Sequence, residues 1–401
     1  MWLRLFFVGV LMCLGTPVLA DDYLEYTELR DQAWAADEAK DYSNALKLYQ
    51  QLIEKGDPAG HHGMALAYLG GLGVKEDDVA GVDWMRKAAD LEYGPALTDL
   101  GLAYEDGEGV PKDIDKANAL YRKAADKGNW RGAHFIGLNH LAGLGLEKSP
   151  ALAAPWFRKA AENGYIGSMF QLGKLLEKGE GVSKNAVEAM GWYTMAASGG
   201  HAASEFMLGA SHEFADPLEE NQELAFFWYK RAANHGDVDA YNSLGQAYRN
   251  ANGTEKDFKM AVTYFEKGVA ADDPFAMTNL AEILLAGQGV KADRVRGTAL
   301  LERAVVKEHP RAMVELGLAI SAGKGPTANL ERSAKLFAQA AELGDAKGMR
   351  LLAAAYAKGE GLPVDTKAAK TWYLKAVDAG DEDAEAELNA FNTSQRTGKS
   401  D

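Results

Sequence analysis

A chain of 401 residues that is 47% hydrophobic and 25% charged has the composition of a folded protein, which excludes wholesale disorder. Its formal net charge of −15 excludes a general nucleic-acid binder and electrostatic docking on anionic lipid, since both need a basic face. The single cysteine, Cys13, leaves no disulfide framework and no thiolate zinc cluster.

The first element in chain order is a targeting segment. Residues 1–20 place Arg4 ahead of an apolar run from Leu5 to Leu14, then Thr16, Pro17 and a Val18-Leu19-Ala20 exit. This is the layout of a secretory signal peptide, with cleavage after Ala20. Ten apolar residues are too few to cross about 30 Å of hydrocarbon, and no later stretch approaches 18. Cleavage at Cys13 is disfavoured by Met12, which stands where a small residue is wanted. The mature chain is thus expected in the periplasm or outside the cell, without cysteine and without an integral membrane span. Loss of Arg4 makes its net charge −16.

A 36-residue repeat dominates the rest. Small residues recur at Ala65, Gly101, Gly137, Gly173, Gly209, Gly245, Ala281, Gly317 and Ala353, each preceded by a large apolar residue. Twenty residues further on stands a paired landmark, including Trp84-Met85, Leu120-Tyr121, Trp156-Phe157, Trp192-Tyr193, Trp228-Tyr229, Tyr264-Phe265 and Trp372-Tyr373. Residues 97, 100, 101 and 104 share one face at helical spacing, as do 117, 120, 121, 124 and 125, so each repeat reads as two helices. Glycine pairs such as Gly107 and Gly109 mark the turn between them. Single glycines such as Gly128, Gly164 and Gly236 mark the turn between repeats, where a left-handed residue can close a helix. Nine of the ten prolines after residue 20 fall in these turns. Pro155 is the exception, and it is expected to confine or bend its helix. The small residues and the Ala-Ala pairs (Ala124-Ala125, Ala160-Ala161) allow close helix approach. The aromatic at the Trp84 position is expected to fill the gap between successive pairs, with Trp192 buried. One repeat cannot bury its own apolar face, but a stack can.

Two runs carry a family resemblance: A-x₃-L-G-x₂-Y-x₂-G-x-G-V from Ala96 to Val110, and W-Y/F-x-K-A-A-x₂-G from Trp156 to Gly164. With them the chain resembles the Sel1-like repeat family, a branch of the tetratricopeptide-like helical repeats. The likeness covers residues 60–383 as nine copies. Residues 21–59 resemble a looser tetratricopeptide capping unit, and residues 384–401 a capping helix with a polar tail. The resemblance implies an all-α, right-handed α-α superhelix of 36-residue helix pairs. It also implies a non-enzymatic scaffold that binds a protein or peptide, often on its concave side, with exported bacterial members serving the cell envelope.

Catalytic and metal motifs are weak beside this. The G-x-G pairs lie between helices and recur with the fold, so they read as turns rather than phosphate cradles. His140 and His212 share a phase but sit two repeats apart, about 20 Å at 8–10 Å per helix layer, too far for one ion. There is no H-E-x-x-H and no G-x-S-x-G, so the expectation is no cofactor, no metal and no catalytic residue. Asp77-Asp78, Asp272-Asp273 and Asp381-Glu382-Asp383 stand at helix starts or turns, where they favour the positive end of the dipole. An envelope enzyme acting on peptidoglycan or a β-lactam remains an alternative reading, as does a structural part of a polysaccharide-secretion or regulatory complex. Asn252-Gly253-Thr254 and Asn392-Thr393-Ser394 match the glycosylation acceptor pattern, which matters only in a eukaryotic secretory host. The fifth and sixth loops depart from the pattern, with Ala215, Pro217 and Ala251 for glycine.

A candidate partner site follows from the stripe beside the core stripe of each first helix. In three consecutive repeats it carries His134 and Leu138; Phe170, Lys174 and Glu177; and Phe206, Glu213 and Phe214. The equivalents of Phe170 elsewhere include Thr98, Asn242, Thr278 and Arg350. Aromatic anchors beside charges suit a peptide-binding hot spot. The competing reading is that Phe170 and Phe206 pack against neighbouring first helices.

Overall fold

The computed structural model describes residues 20–214, 217–323 and 329–397. The apolar run read as a signal peptide, and Ala215 of the fifth loop, lie outside the described residues. Those residues form 21 helices and no strand. They divide into two compact units, one ending at Trp192 and the other beginning at Tyr193.

The first unit holds α1 (Ala20–Glu38), α2 (Tyr42–Glu54), α3 (Pro58–Gly70), α4 (Asp78–Asp90), α5 (Gly94–Asp106), α6 (Ile114–Asp126), α7 (Trp130–Ala142), α8 (Pro150–Glu162) and α9 (Ile166–Lys178). Helix α10 (Ala186–Ser198) contains the division. The second unit holds α11 (Ala202–Glu213), α12 (Gln222–Asn234), α13 (Val238–Asn250), α14 (Phe258–Ala270), α15 (Pro274–Ala286), α16 (Arg294–Val306), α17 (Pro310–Ser321), α18 (Leu330–Glu342), α19 (Ala346–Lys358), α20 (Thr366–Asp378) and α21 (Ala384–Thr397). Within each unit every helix packs on the next in sequence, and from α3 on, odd-numbered helices are the first of their repeats. The chain is a repeat solenoid of helix pairs.

Local chemistry sets the boundaries. Side chains of Asp57, Asp113, Asn129, Ser149, Asp257 and Asp365 accept hydrogen bonds from the backbone N–H groups that open their helices. Pro58, Pro95, Pro150, Pro274 and Pro310 sit in first turns, where no N–H partner is lost. Left-handed glycines such as Gly107 and Gly179 close the first helices, and their N–H groups return to Ala103 and Leu175. The sixth repeat keeps this geometry with Ala251 at φ +67°, a conformation that costs a residue with a Cβ. Pro155 lies inside α8, which opens at Pro150, so it does not confine the helix start.

Packing corrects the expectation for the aromatic landmark. The second member of each pair fills the core: Tyr121, Phe157, Tyr193, Phe265 and Leu301 are fully buried, and the first member joins it only as Tyr264, Leu300 and Leu336. Trp192 is only half-buried, and its Nε1 donates to Glu188 Oε1 at 3.4 Å. Other landmark indoles face cations along the same helix, with Lys87 over Trp84 and Lys375 over Trp372 at 3.6 and 4.0 Å. The buried ring explains most of the helix glycines, Ala353 opposite Tyr373 being the exception. A Cβ on Gly245 would stand 2.3 Å from Phe265, and one on Gly101 2.4 Å from Tyr121. Where the buried partner is Met85 or Leu301, alanine (Ala65, Ala281) occupies the glycine position.

Candidate binding groove

Buried rings and the sequence stripe meet first at the tyrosines. Tyr121 donates to Glu105 at 2.9 Å and Tyr373 to Glu387 at 3.2 Å, each carboxylate coming from a first helix or the last one. Tyr229 in the same way donates to Glu213 at 2.5 Å. Burial and the facing carboxylate push these phenols up. Glu213 is therefore engaged in holding a core tyrosine, and Phe206 lies on that same ring with centroids 5.4 Å apart.

The rest of the expected partner stripe is placed as follows. His134 is half-buried among Phe157 and Tyr165, with Nδ1 2.9 Å from Ser168 Oγ on α9. Burial, with the nearby Arg131 cation, lowers it to about 4. It serves the packing of neighbouring first helices. The same phase does so elsewhere: Thr98 reaches Asn129, Asn279 reaches Asn242, and Arg350 reaches Asp381. Phe170 is half-buried with Lys174 Nζ 5.5 Å above its ring, and Leu138 and Glu177 are half-buried. Phe214 ends α11 and is 72% exposed. The structure thus joins Phe170 to Lys174, and Phe206 to Glu213 through Tyr229, while Phe214 projects to solvent.

The later positions of the stripe (i+4, i+7, i+8) have a different role in the second unit. There they carry Glu282, Leu285 and Ala286 on α15, Leu318, Ser321 and Ala322 on α17, and Ala354, Ala357 and Lys358 on α19. These residues line two adjoining grooves of about 930 and 500 Å³, which share Leu318, Ser321, Leu330 and Glu360. The second continues to Ala390 and Phe391 on α21. Ala286, Ser321, Ala322, Ala354 and Ala357 are small and leave room beside the longer Glu282, Leu285, Leu318 and Lys358. Alanine and serine recur here at stripe positions that in most earlier repeats carry leucine, lysine or glutamate.

Charge crosses this groove in rungs. Arg249 and Arg311 both donate to Glu282, at 2.9 and 2.5 Å, and Lys347 donates to Glu315 at 2.9 Å. The rungs tie α13, α15, α17 and α19 together. In the first unit Asp99 on α5 plays the same part, taking His62 from α3 and Arg131 from α7 at 2.8 and 2.6 Å. Burial opposes its ionisation, but His62 and Arg131 outweigh it and hold the carboxyl below its usual range. Among the described residues no group of three metal-ligating side chains gathers, and no helix is long and apolar enough to cross a membrane.

Comparison with known proteins agrees with this architecture. The chain matches the Sel1 repeat over residues 37–57, 58–93, 94–129, 130–165, 166–201, 202–237, 238–273, 274–305, 310–345 and 346–381. No curated protein matches it. Among solved structures it is similar to a protective antigen present in uropathogenic Escherichia coli strains displaying an SLR fold. That likeness has 25% identity and a TM-score of 0.78, covering 93% of this chain and 81% of that one. It is also similar to a Sel1 repeat protein from Oxalobacter formigenes, at 27% identity and a TM-score of 0.57, covering 78% of this chain and 91% of the other. The ten matched segments, the glycine-seated rings and the paired helices make this chain a member of the Sel1 repeat family, whose fold generally serves as a protein–protein interaction scaffold.

Proposed function

We propose that this protein is an exported scaffold without catalytic activity of its own, holding a protein or peptide partner in the groove of its second unit. The observation that carries the reading is the lining of that groove by successive first helices, with alanine or serine at five positions and charged rungs across it. It leaves room for a chain with both apolar and polar side groups. Phe214 and the Phe170–Lys174 pair form further contact points in their own units. Export rests on the apolar run and the Ala20 exit, so the secreted protein should begin at Asp21 when its N-terminus is sequenced.

The test is crosslinking in intact cells followed by mass spectrometry, comparing the parent with Ala322→Trp and Ala354→Trp, which fill the groove. Both alanines lie at the groove surface, so the melting temperature should hold. Loss of one reproducible crosslinked partner in both variants supports the groove. A partner retained by both variants but lost in Phe214→Ala places the contact at the fifth repeat instead. Turnover of wall fragments or a β-lactam that survives purification and depends on one carboxylate overturns the scaffold reading.

A further inference from the structure

Two of the first helices in the second unit open on histidine where their counterparts open on aspartate, asparagine or tyrosine. His201 precedes α11 and His309 precedes α17. The backbone N–H of Ser204 donates to His201 Nδ1 at 3.2 Å, and that of Ala312 to His309 Nδ1 at 3.3 Å. A backbone N–H can only donate, so in each ring Nδ1 accepts and carries no proton, and the tautomer is Nε2–H. Asp237, Asp273 and Asp345 do the same work for α13, α15 and α19 with a carboxyl group, which keeps an acceptor oxygen whether or not it is protonated.

We propose that His201 and His309 are acid-sensitive helix caps, so that α11 and α17 lose their opening hydrogen bonds as the pH falls while neighbouring repeats keep theirs. A protonated Nδ1 cannot accept, and the imidazolium then sits at the positive end of a helix. The surroundings favour the neutral form. His309 is buried and packed edge-on against Phe275 at 4.5 Å; the Thr278 hydroxyl, 3.1 Å from Nδ1, donates to the Pro274 carbonyl at 2.8 Å. Arg311 adds to the effect, against Asp273 and Asp345. Burial likewise lowers His201, opposed by Glu205, whose carboxylate is taken by Arg231 at 2.9 Å and by His235 at 2.7 Å. Asp237, at the start of α13, also faces Glu205. The sign follows. A histidine lowered on folding contributes stability that is present above about pH 6.5 and lost as the pH falls through its folded value. Helix α17 carries Arg311, Glu315 and Ser321 of the groove, so the device acts on the site read above as the binding groove, though its test does not depend on that reading.

Two measurements decide it. Long-range ¹H–¹⁵N spectra of the ¹⁵N-histidine-labelled parent should show Nδ1 unprotonated in both rings at pH 7.5. Hydrogen exchange corrected for its intrinsic pH dependence should show opening at the starts of α11 and α17 rising about fivefold between pH 7.5 and 5, the effect of one lost cap. His201→Asn with His309→Asn keeps an acceptor that does not titrate, and should abolish that rise while His134 titrates as before. An Nδ1–H in either ring at pH 7.5, or an equal rise in the asparagine variant, overturns the proposal.

Discussion

At the scale of single residues, the core is a set of rings laid on glycines. Phe265 is fully buried against Gly245, so Phe265→Ala should cost about 3–5 kcal/mol, read from denaturant unfolding of the surrounding repeats. Trp192 is half-buried and held by Glu188, so Trp192→Ala should cost less, about 1–2 kcal/mol. Equal costs would mean that the indole is core after all. His134 supplies a pH-dependent term. Burial lowers it to about 4, so the unfolded chain binds a proton that the folded one refuses between about pH 6.5 and pH 4, and stability falls as the pH drops through that window. The melting temperature of the parent should therefore fall more steeply over that range than that of His134→Gln. Parallel curves would show the imidazole to be solvated.

At the scale of elements, most helices open on a side-chain acceptor, Tyr93 and Tyr165 being exceptions, and most first helices close on a left-handed residue. Ala251 is the one non-glycine among the left-handed residues that close first helices in the described chain. Ala251→Gly removes the clash of its Cβ with the following carbonyl, partly offset by the greater freedom of glycine in the unfolded chain. The expected gain is about 0.5–1 kcal/mol, visible as a raised denaturant midpoint; a lowered midpoint would show that Ala251 is not strained. Glycine periodicity and capping residues made nearly every helix legible in advance. The stripe was legible only in part. Its positions could be counted, but whether a ring at the first of them points into a neighbouring helix or into solvent depends on how closely successive first helices approach. His134 and Phe206 lie against neighbouring rings and helices, and the open space falls where alanines recur.

For the molecule as a whole, stability in a stack is close to a sum over repeats and their interfaces. Phe265→Ala should therefore strip hydrogen-exchange protection from α13 to α16 and leave α3 to α8 protected. A uniform loss along the chain would mean that the two units unfold together. Ion-pair rungs such as Arg249–Glu282–Arg311 and His62–Asp99–Arg131 join successive first helices within a unit. In such part-buried pairs desolvation offsets much of the attraction, so they tune the spacing of helices more than they set the fold.

The sequence by itself determined the repeat length, the pairing of helices, the turns and the family, because a small residue every 36 positions and a ring 20 positions later can be satisfied by only one kind of stacking. It also determined the cost of each turn, since the residues that close helices are few and chemically distinct. Only the tertiary structure decided which of two adjacent aromatics is core, which carboxylates serve buried tyrosines, and where a groove opens. Those outcomes depend on distances of a few ångströms between helices, which the spacing of residues along one helix does not encode.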